Sequence, residues 1–416
     1  MVVGGMIGSG VFLLPASLAP YGGLAFAGWV VSAAGSVLLA FVFAWLTRLH
    51  PSAGGPYAFT RQAFGDLAGF LVAWGYWLSI CSANAALAIA FVAYLDPFIP
   101  DVVASPVAAA ALAIALVWVL TIVNIRSVRE AGRVQVVTTA IKILPLVIIG
   151  IVGLVRFDPV HFGVPAAMPA SPGGPLLAVT TLTLFAFLGL ECGTVPADVV
   201  KDPARTIPRA TIIGTLVAAA IYIISTAGVM SALAPEVLAT SRAPFADAAR
   251  HLFGDAAARA VAVGAAISAL GSLNGWVLMA GQVSRAVALD GLFPAFFARE
   301  SSRGTPAIGL VVAAALSSVL VAMNYSSGLV ALFTFATLLS TLSTLVPYAC
   351  CSLAWLILGG TRPAARAVVA VLAFIYSAVA IAGAGMEVVY WGSLLFLAGL
   401  PTYVWGTLAR RRKGMV

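Results

Sequence analysis

The chain has 416 residues, of which 62% are hydrophobic and only 9% are charged, and its mean hydropathy is +1.08. A soluble domain carries about 25% charged residues, so this composition excludes a water-soluble protein and indicates a polytopic membrane protein. The apolar segments are long unbroken runs without period-two alternation, which excludes a β-barrel.

Twelve apolar runs divide the chain, separated by charged or Pro- and Gly-rich breaks. A membrane-spanning helix needs about 20 apolar residues, and eleven runs are full spans by this measure. Only seven residues precede Gly8 in the first run, so we expect its first half-helix to be truncated. The predicted spans lie near 1–19, 23–47, 68–95, 102–124, 134–155, 177–199, 208–233, 257–284, 306–324, 328–358, 364–384 and 388–408.

The basic residues are concentrated in the loops on one side of these spans. The loops of the opposite side contain Arg156, Arg242, Arg250 and Arg259. Cytoplasmic loops of membrane proteins are enriched in Lys and Arg, so we expect the rich side and both termini to be cytoplasmic, in the cell (cytoplasmic) membrane. The net charge of +8 then reflects topology and needs no nucleic-acid partner. The rich side comprises Arg48, Arg61, Arg126, Arg129, Arg133, Lys201, Arg205, Arg209, Arg285, Arg299, Arg303, Arg362, Arg366 and Arg410–Lys413.

Two stretches with a similar pattern interrupt the first and sixth spans. The first reads GSGVFLLP (8–15) and the second GLECGTVP (189–196), and each has a Gly followed seven residues later by a Pro. Each begins a block of five spans, and the two blocks start from opposite sides of the membrane. The sequence therefore predicts an inverted repeat, with one half at about 1–156 and the other at about 177–358. Two further helices at about 364–408 and a basic tail, 409–416, complete a single transmembrane domain.

Such interruptions have a chemical use. An unwound helix leaves backbone N–H and C=O groups without partners, which lipid cannot satisfy. The N–H groups at the start of a half-helix suit a carboxylate, and the free carbonyls suit an ammonium. Interrupted helices at matching positions of two repeats indicate the substrate site of a secondary transporter. A zwitterionic amino acid fits both kinds of group.

Two ionisable residues lie within the predicted spans. Glu191 stands beside the second interruption, and intramembrane carboxylates are rare and usually functional; we hypothesise that it gates transport or couples it to protons, with a structural cap as the alternative. Lys142 has no charged neighbour within four residues. Burial disfavours the charged form of a lysine, so Lys142 is a candidate proton carrier. Snorkelling to an interface and a fixed structural cation are the alternatives.

Several stretches resemble the amino acid–polyamine–organocation superfamily. They are GSGVFLLPASLA, PSAGGPYAFTRQAFG, GLECGTVPADVVKDPARTIPRAT, LGSLNGWVLMAGQ, DGLFPAFFAR and TLVPYA. The chain is most similar to the basic amino acid/polyamine antiporters, the arginine/agmatine exchangers in particular. The resemblance implies an all-α LeuT-type fold of twelve transmembrane helices, with a 5+5 inverted repeat, broken helices 1 and 6, two C-terminal helices and often a homodimer.

The resemblance also implies roles for individual residues. Backbone N–H groups of Ser9 and Gly10 would bind the substrate carboxylate, and carbonyls near Met6 and Leu188 its ammonium. Trp276 would stack on the side chain. The implied substrate site consists of Met6, Ser9, Gly10, Ser79, Asn84, Phe185, Leu188, Trp276 and Ser340. The implied gating and proton-coupling residues are Tyr57, Tyr76, Lys142, Glu191 and Tyr348.

Three departures from the arginine exchangers bear on the substrate. Phe185 stands where those exchangers have a Trp, and Leu87 replaces a Met, so the pocket has lost one N–H donor. Lys142 lies in a K-x-x-P setting that resembles proton-coupled permeases of the superfamily, in which the lysine takes the place of a sodium ion.

Two functions therefore remain open. The first is exchange of a cationic amino acid for its decarboxylated amine, and the second is proton-coupled amino acid symport that uses Lys142. An enzyme is not expected, since the sequence has no HExxH motif, no Ser/His pair in facing spans and no metal cluster. The expected partners are an amino acid or amine substrate, protons, the lipid bilayer and a second copy in a homodimer. We expect no nucleic acid, cofactor or metal.

Overall fold

The computed structural model describes residues 5–8, 10–50, 55–126, 131–156, 159–163, 168, 174–192, 194, 200, 202–323, 329–360 and 363–404, without the side chains of 131–141. Over these residues the secondary structure is helical, with no strand. Ser9 and the basic tail, both named above, lie outside the described residues.

Each predicted apolar run contains one main helix, and these helices are labelled α1 to α12 here. Shorter helices at Pro56–Phe64, Pro100–Ala104, Pro235–Thr240 and Pro244–Phe253 connect them. The main helices are α1 (Gly10–Leu18), α2 (Leu24–Leu49), α3 (Asp66–Ala93), α4 (Pro106–Arg126), α5 (Ala131–Val155), α6 (Pro175–Leu184), α7 (Pro203–Ala232), α8 (Asp255–Leu289), α9 (Ala307–Met323), α10 (Leu329–Leu358), α11 (Ala364–Ala382) and α12 (Met386–Leu397).

Length and composition make seven of these helices able to cross a membrane, namely α2, α3, α4, α7, α8, α10 and α11. Shorter apolar helices occur at Gly10–Tyr21, Lys142–Val155, Pro175–Phe187 and Ala307–Met323. The protein is therefore an all-α, multi-pass membrane protein, which confirms the predicted fold class.

Helix α3 forms the centre of the bundle. In its most apolar window 94% of the residues are buried inside the protein, whereas the share is 33% for α4 and 22% for α11. Helices α4 and α11 therefore lie at the periphery of the bundle. Since α3 also carries Tyr76, Ser79 and Asn84, these predicted site residues lie deep inside the protein.

The contacts between helices follow the predicted repeat of five. Helix α2 packs on α7, α3 on α8 and α4 on α9, so that each helix contacts its counterpart in the other half. The contact of α3 with α10 likewise matches that of α8 with α5. This pairing agrees with a five-helix repeat, while the sequence limits of each half stay a prediction.

Helix α7 begins five residues earlier than the predicted span, at Pro203 instead of Pro208. Proline is well accommodated at the first helical position, where its missing N–H would have no partner. Against α7, helix α5 packs through glycines: a Cβ on Gly228 would lie 2.5 Å from the Cα of Gly150. Small residues permit such close approach, and this contact holds the helix that carries Lys142.

Candidate functional site

The first helix is interrupted immediately before α1. Gly5 and Met6 are helical, Ile7 and Gly8 are not, and the helix resumes at Gly10. The N–H of Gly8 donates to the carbonyl of Met6 at 2.8 Å in a tight turn. Met6 and Ile7 are buried, so the remaining backbone groups of this segment need partners within the protein.

The sixth helix is interrupted in the corresponding place. After α6, a 3-10 turn at Phe185–Phe187 leads to Leu188, whose backbone is extended. Gly189 follows with φ of +102°, a conformation that only glycine adopts without strain. Among the described residues from Leu188 to the start of α7 none is helical, so both predicted interruptions are confirmed.

The two interruptions lie against each other. A Cβ on Gly189 would lie 3.1 Å from the carbonyl carbon of Gly5, and one on Gly10 would lie 2.9 Å from Cδ1 of Phe185. Neither glycine could therefore carry a side chain without displacing its neighbour. The described residues that line the cavity between the breaks are Gly5, Met6, Gly8, Gly10, Ala83, Leu87, Phe185, Ala186, Leu188 and Trp276.

This cavity is small, at about 20 Å³. A single water needs about 10–15 Å³ by the same measure, so the volume between the breaks is far below that of an amino acid. Phe185 is part of the lining, with its ring packed on Gly10 and edge-on to Phe333 at 6.1 Å between centroids. The structure thus brings together Met6, Gly10, Phe185, Leu188 and Trp276, as the sequence predicts.

Glu191 joins three elements at the second interruption. Tyr76 on α3 donates to its Oε1 at 2.8 Å, and Tyr348 on α10 donates to its Oε2. The N–H of Gly189 donates to the same Oε2 at 3.2 Å. All three side chains are buried, and the three donors satisfy a carboxylate that could not otherwise remain away from water. The predicted gate residues Tyr76, Glu191 and Tyr348 therefore form one cluster.

Lys142 connects α5 and α8 to the first interruption. Its Nζ donates to Oγ of Ser272 on α8 at 2.6 Å and to the carbonyl of Ile7 at 3.3 Å. The side chain has no solvent exposure. No carboxylate in the described part of the chain lies within ion-pair distance of it. A side chain at this depth does not snorkel, which leaves the proton carrier and the fixed cation as alternatives.

The three remaining polar candidates differ in their surroundings. Asn84 is buried, and its Oδ1 has no hydrogen-bond partner among the described residues. In contrast, Ser340 donates to the carbonyl of Ser79 at 2.9 Å, and Thr344 donates to Oγ of Ser79 at 2.6 Å. Both serines thus serve the contact between α3 and α10, and neither lines the closed cavity.

Tyr57 belongs to a separate cluster on the connecting helix Pro56–Phe64. Its hydroxyl donates to Oδ2 of Asp290, beyond the end of α8, at 2.6 Å. Arg61 pairs with the same carboxylate at 3.2 Å and with Asp66 at 2.8 Å. Burial, and then the Asp290 carboxylate, raise the pKa of Tyr57 well above its ordinary value, so this hydroxyl remains a donor at physiological pH.

Sequence reasoning missed Ser272 and Thr344. Ser272 lies four residues before Trp276, which places both on one face of α8, and this spacing was the available signal. Thr344 lies four residues after Ser340, so these two residues share a face of α10. Its bond to Ser79 on α3 was not predictable, because it depends on the register of two helices that are far apart in the sequence.

Paired helix interruptions around one small cavity, within a repeat of five helices, are typical of the class of secondary transporters. The sequence matches the amino acid permease family over residues 1–406, and the chain belongs to that family. It is 37% identical to the cadaverine/lysine antiporter of Escherichia coli K12 over 358 residues, or 84% of this chain and 79% of that protein.

The putrescine transporters PotE of Haemophilus influenzae and Escherichia coli K12 are each 32% identical to this chain. These matches extend over 407 and 409 residues, or 96% of this chain, and cover 93% and 92% of the respective relatives. The resemblance to the basic amino acid/polyamine antiporters is thereby confirmed.

Proposed function

We propose that this protein exchanges a cationic amino acid for its decarboxylated amine by alternating access. The observation that carries the proposal is the pair of interruptions that meet around one cavity. The N–H group of Gly10, at the start of α1, suits a carboxylate, and the family resemblance adds that of Ser9. Carbonyls near Met6 and Leu188 suit the α-ammonium. An amino acid would thus find a partner for each end.

The far end of the substrate would meet two side chains. Trp276 lines the cavity, and an indole face attracts a cation with about 2 kcal/mol when both are desolvated. The unpartnered Oδ1 of Asn84 is an acceptor for a guanidinium or ammonium N–H. Both features favour a cationic side chain, and we assign Ser79 and Ser340 to positions that become available to substrate when α3 and α10 separate.

Two substrate pairs are candidates. The resemblance to the exchangers favours arginine and agmatine, while the 37% identical cadaverine/lysine antiporter favours lysine and cadaverine. Phe185 stands where the arginine exchangers have a Trp and so lacks its N–H donor, which makes lysine a natural alternative to arginine.

Lys142 supports a second candidate, proton-coupled symport. Its Nζ bonds to the carbonyl of Ile7 in the first interruption, so loss of the proton would remove a positive partner from the substrate site. A symporter could use this change to couple substrate binding to a proton gradient.

Uptake into proteoliposomes tests both candidates. Vesicles would be empty, loaded with agmatine or cadaverine, or placed under an inward proton gradient, and labelled arginine, lysine and neutral amino acids would be offered outside. Exchange predicts that uptake requires the internal amine and is saturable. Uptake into empty vesicles that follows the gradient, and that disappears in Lys142→Met, would instead establish symport.

We further propose that both termini face the cytoplasm and that the protein resides in the cytoplasmic membrane, since Lys and Arg are concentrated in the loops of one side. A homodimer is also proposed, on the resemblance alone. Cysteine labelling at Asp101 and at Arg303, each changed to Cys in turn, would test the orientation: an external thiol reagent should reach only the first.

A further inference from the structure

A second cavity opens outward between α3 and α8, away from the helix interruptions. Its volume is about 260 Å³. Its floor is Ala266, which is 6% exposed, whereas the rim residues Phe98 and Val263 are each 45% exposed. The groove therefore exists because a methyl group lies between larger side chains. Its lining is apolar throughout: Phe91, Leu95, Phe98, Val263, Ala266, Ile267 and Leu270.

The position of this groove along the helices suits a hydrocarbon chain. It lies near the end of α3 and the beginning of α8, which is the end opposite the arginine-rich loops. From Val263 to Leu270 the helix rises about 10 Å at about 1.5 Å per residue. One leaflet contributes about 15 Å of hydrocarbon to a bilayer, so the groove follows most of that depth.

A cation stands at the mouth of the groove. Arg259 precedes Val263 by one turn, so both lie on the same face of α8. It is exposed, and no ion-pair partner lies within 4.0 Å of it in the part of the chain that the structure describes. The side chain of a helical residue extends over the turn before it, so this guanidinium points towards the membrane surface.

The acidic groups around this mouth are mostly engaged elsewhere. Asp255, one turn before Arg259, pairs with Arg250 at 3.0 Å. Asp96, next to Leu95, pairs with Arg242 at 3.1 Å. Asp101, on the connecting helix beyond Phe98, is a further carboxylate at this end. Arg259 thus remains free to bind an anion at the level where lipid headgroups lie.

We propose that this groove binds one phospholipid, with an acyl chain along Ala266 and the phosphate on Arg259. Arginine pairs with phosphate through two parallel N–H donors. The apolar lining of the groove would hold one acyl chain apart from the disordered lipid around the protein. The lipid would join α3 to α8, the helices that carry Tyr76 and Trp276. The inference does not depend on the proposed exchange activity.

Native mass spectrometry of the full chain, titrated with dioleoyl phosphatidylglycerol in mild detergent, tests this site. We expect one saturable lipid per chain, with affinity about tenfold weaker in Arg259→Gln. Arg156→Gln is the matched control. It removes an exposed cation just beyond the end of α5, on the same side of the membrane as Arg259, and this variant should bind lipid as wild type does. Phosphatidylcholine should also bind, since it shares the phosphate, whereas a phosphate-free galactolipid should not distinguish wild type from Arg259→Gln.

Filling the groove gives a second, independent readout. Ala266→Phe places a ring where the acyl chain would lie, and the saturable lipid should be lost while the melting temperature without added lipid stays within a few degrees. Equal lipid binding by Arg259→Gln and Arg156→Gln, or full retention of the lipid by folded Ala266→Phe, would overturn the proposal.

Discussion

The interruption before α1 and the interruption after α6 occupy corresponding places in the two halves, yet their partners differ in charge and in origin. At the first, the carbonyl of Ile7 accepts from Lys142, which comes from α5. At the second, the N–H of Gly189 donates to Glu191, which is only two residues further along the same segment. One interruption is therefore stabilised by a cation from another helix, and the other by its own carboxylate.

This difference has a mechanical consequence. Lys142 can leave Ile7 whenever α5 moves relative to α1, so that contact depends on the conformation of the whole bundle. Glu191 moves with its own backbone, and only its bonds to Tyr76 and Tyr348 cross to other helices. The first interruption is thus suited to sense the position of α5, and the second to open and close between α3 and α10.

The largest effect is expected for Glu191→Gln, which would test the second interruption. A glutamine has one acceptor oxygen, so at least one of the three donors loses its partner. An unsatisfied buried group costs about 1–3 kcal/mol, which corresponds to a roughly 5- to 150-fold loss of exchange in proteoliposomes. Glu236→Gln, at an exposed carboxylate on the connecting helix Pro235–Thr240, is the control. Full exchange by Glu191→Gln would exclude a gating role.

Lys142→Met tests the first interruption in the same assay. The methionine keeps the apolar stem but leaves the Ile7 carbonyl and the Ser272 hydroxyl without their cation, so we expect a loss of transport of about tenfold or more. Ser272→Ala removes only one acceptor of the ammonium and should be milder. If both variants transport as well as wild type does, the contact of Lys142 with Ile7 has no part in the transport cycle.

Gly10→Ala tests the close contact between the interruptions. The added Cβ would lie 2.9 Å from Cδ1 of Phe185, so one of the two must move, and we expect substrate affinity to fall by roughly tenfold. Phe185→Leu should restore part of this loss in the double variant, since contacting residues couple. Gly264→Ala is the matched control, because its Cβ would meet only Pro145, at 3.9 Å. If Phe185→Leu does not restore affinity to Gly10→Ala, the contact between Gly10 and Phe185 is not the cause of the loss.

The two tyrosines on Glu191 should have smaller and non-additive effects. Tyr76→Phe and Tyr348→Phe each remove one of the three donors, and a single hydrogen bond contributes about 0.5–1.5 kcal/mol. We expect exchange to fall by about two- to tenfold in each single variant and by more than the product in the double variant. Strictly multiplicative effects would mean that the two hydroxyls act independently.

The smallest effect concerns Tyr57, outside both interruptions. Its pKa is raised in the folded protein by burial and by Asp290, so the folded state holds this proton more tightly than the unfolded one. The resulting stability is complete below the ordinary tyrosine pKa of about 10 and is lost as the pH rises above it. Thermal melting between pH 8 and 11 should show this extra loss in wild type and not in Tyr57→Phe.

Much of this site could be predicted from the sequence, because the signals are local. The Gly–Pro spacing revealed both interruptions, and the motif around Trp276 placed it at the cavity. The partners of Lys142 were not predictable in this way. They depend on the register of α5 against α8 and on glycines that bring α5 close to α7. The bonding of Ser79 to α10 is likewise a consequence of packing.

The central claim is that the two interruptions form one substrate site. Equilibrium binding of lysine and arginine to the purified protein, by isothermal titration calorimetry, tests it most directly in wild type, Gly10→Ala and Trp276→Ala. The account predicts one molecule bound per chain in wild type, and markedly weaker binding in both variants, which change opposite ends of the site. Unchanged affinity in both variants would contradict it, since the substrate would then bind elsewhere.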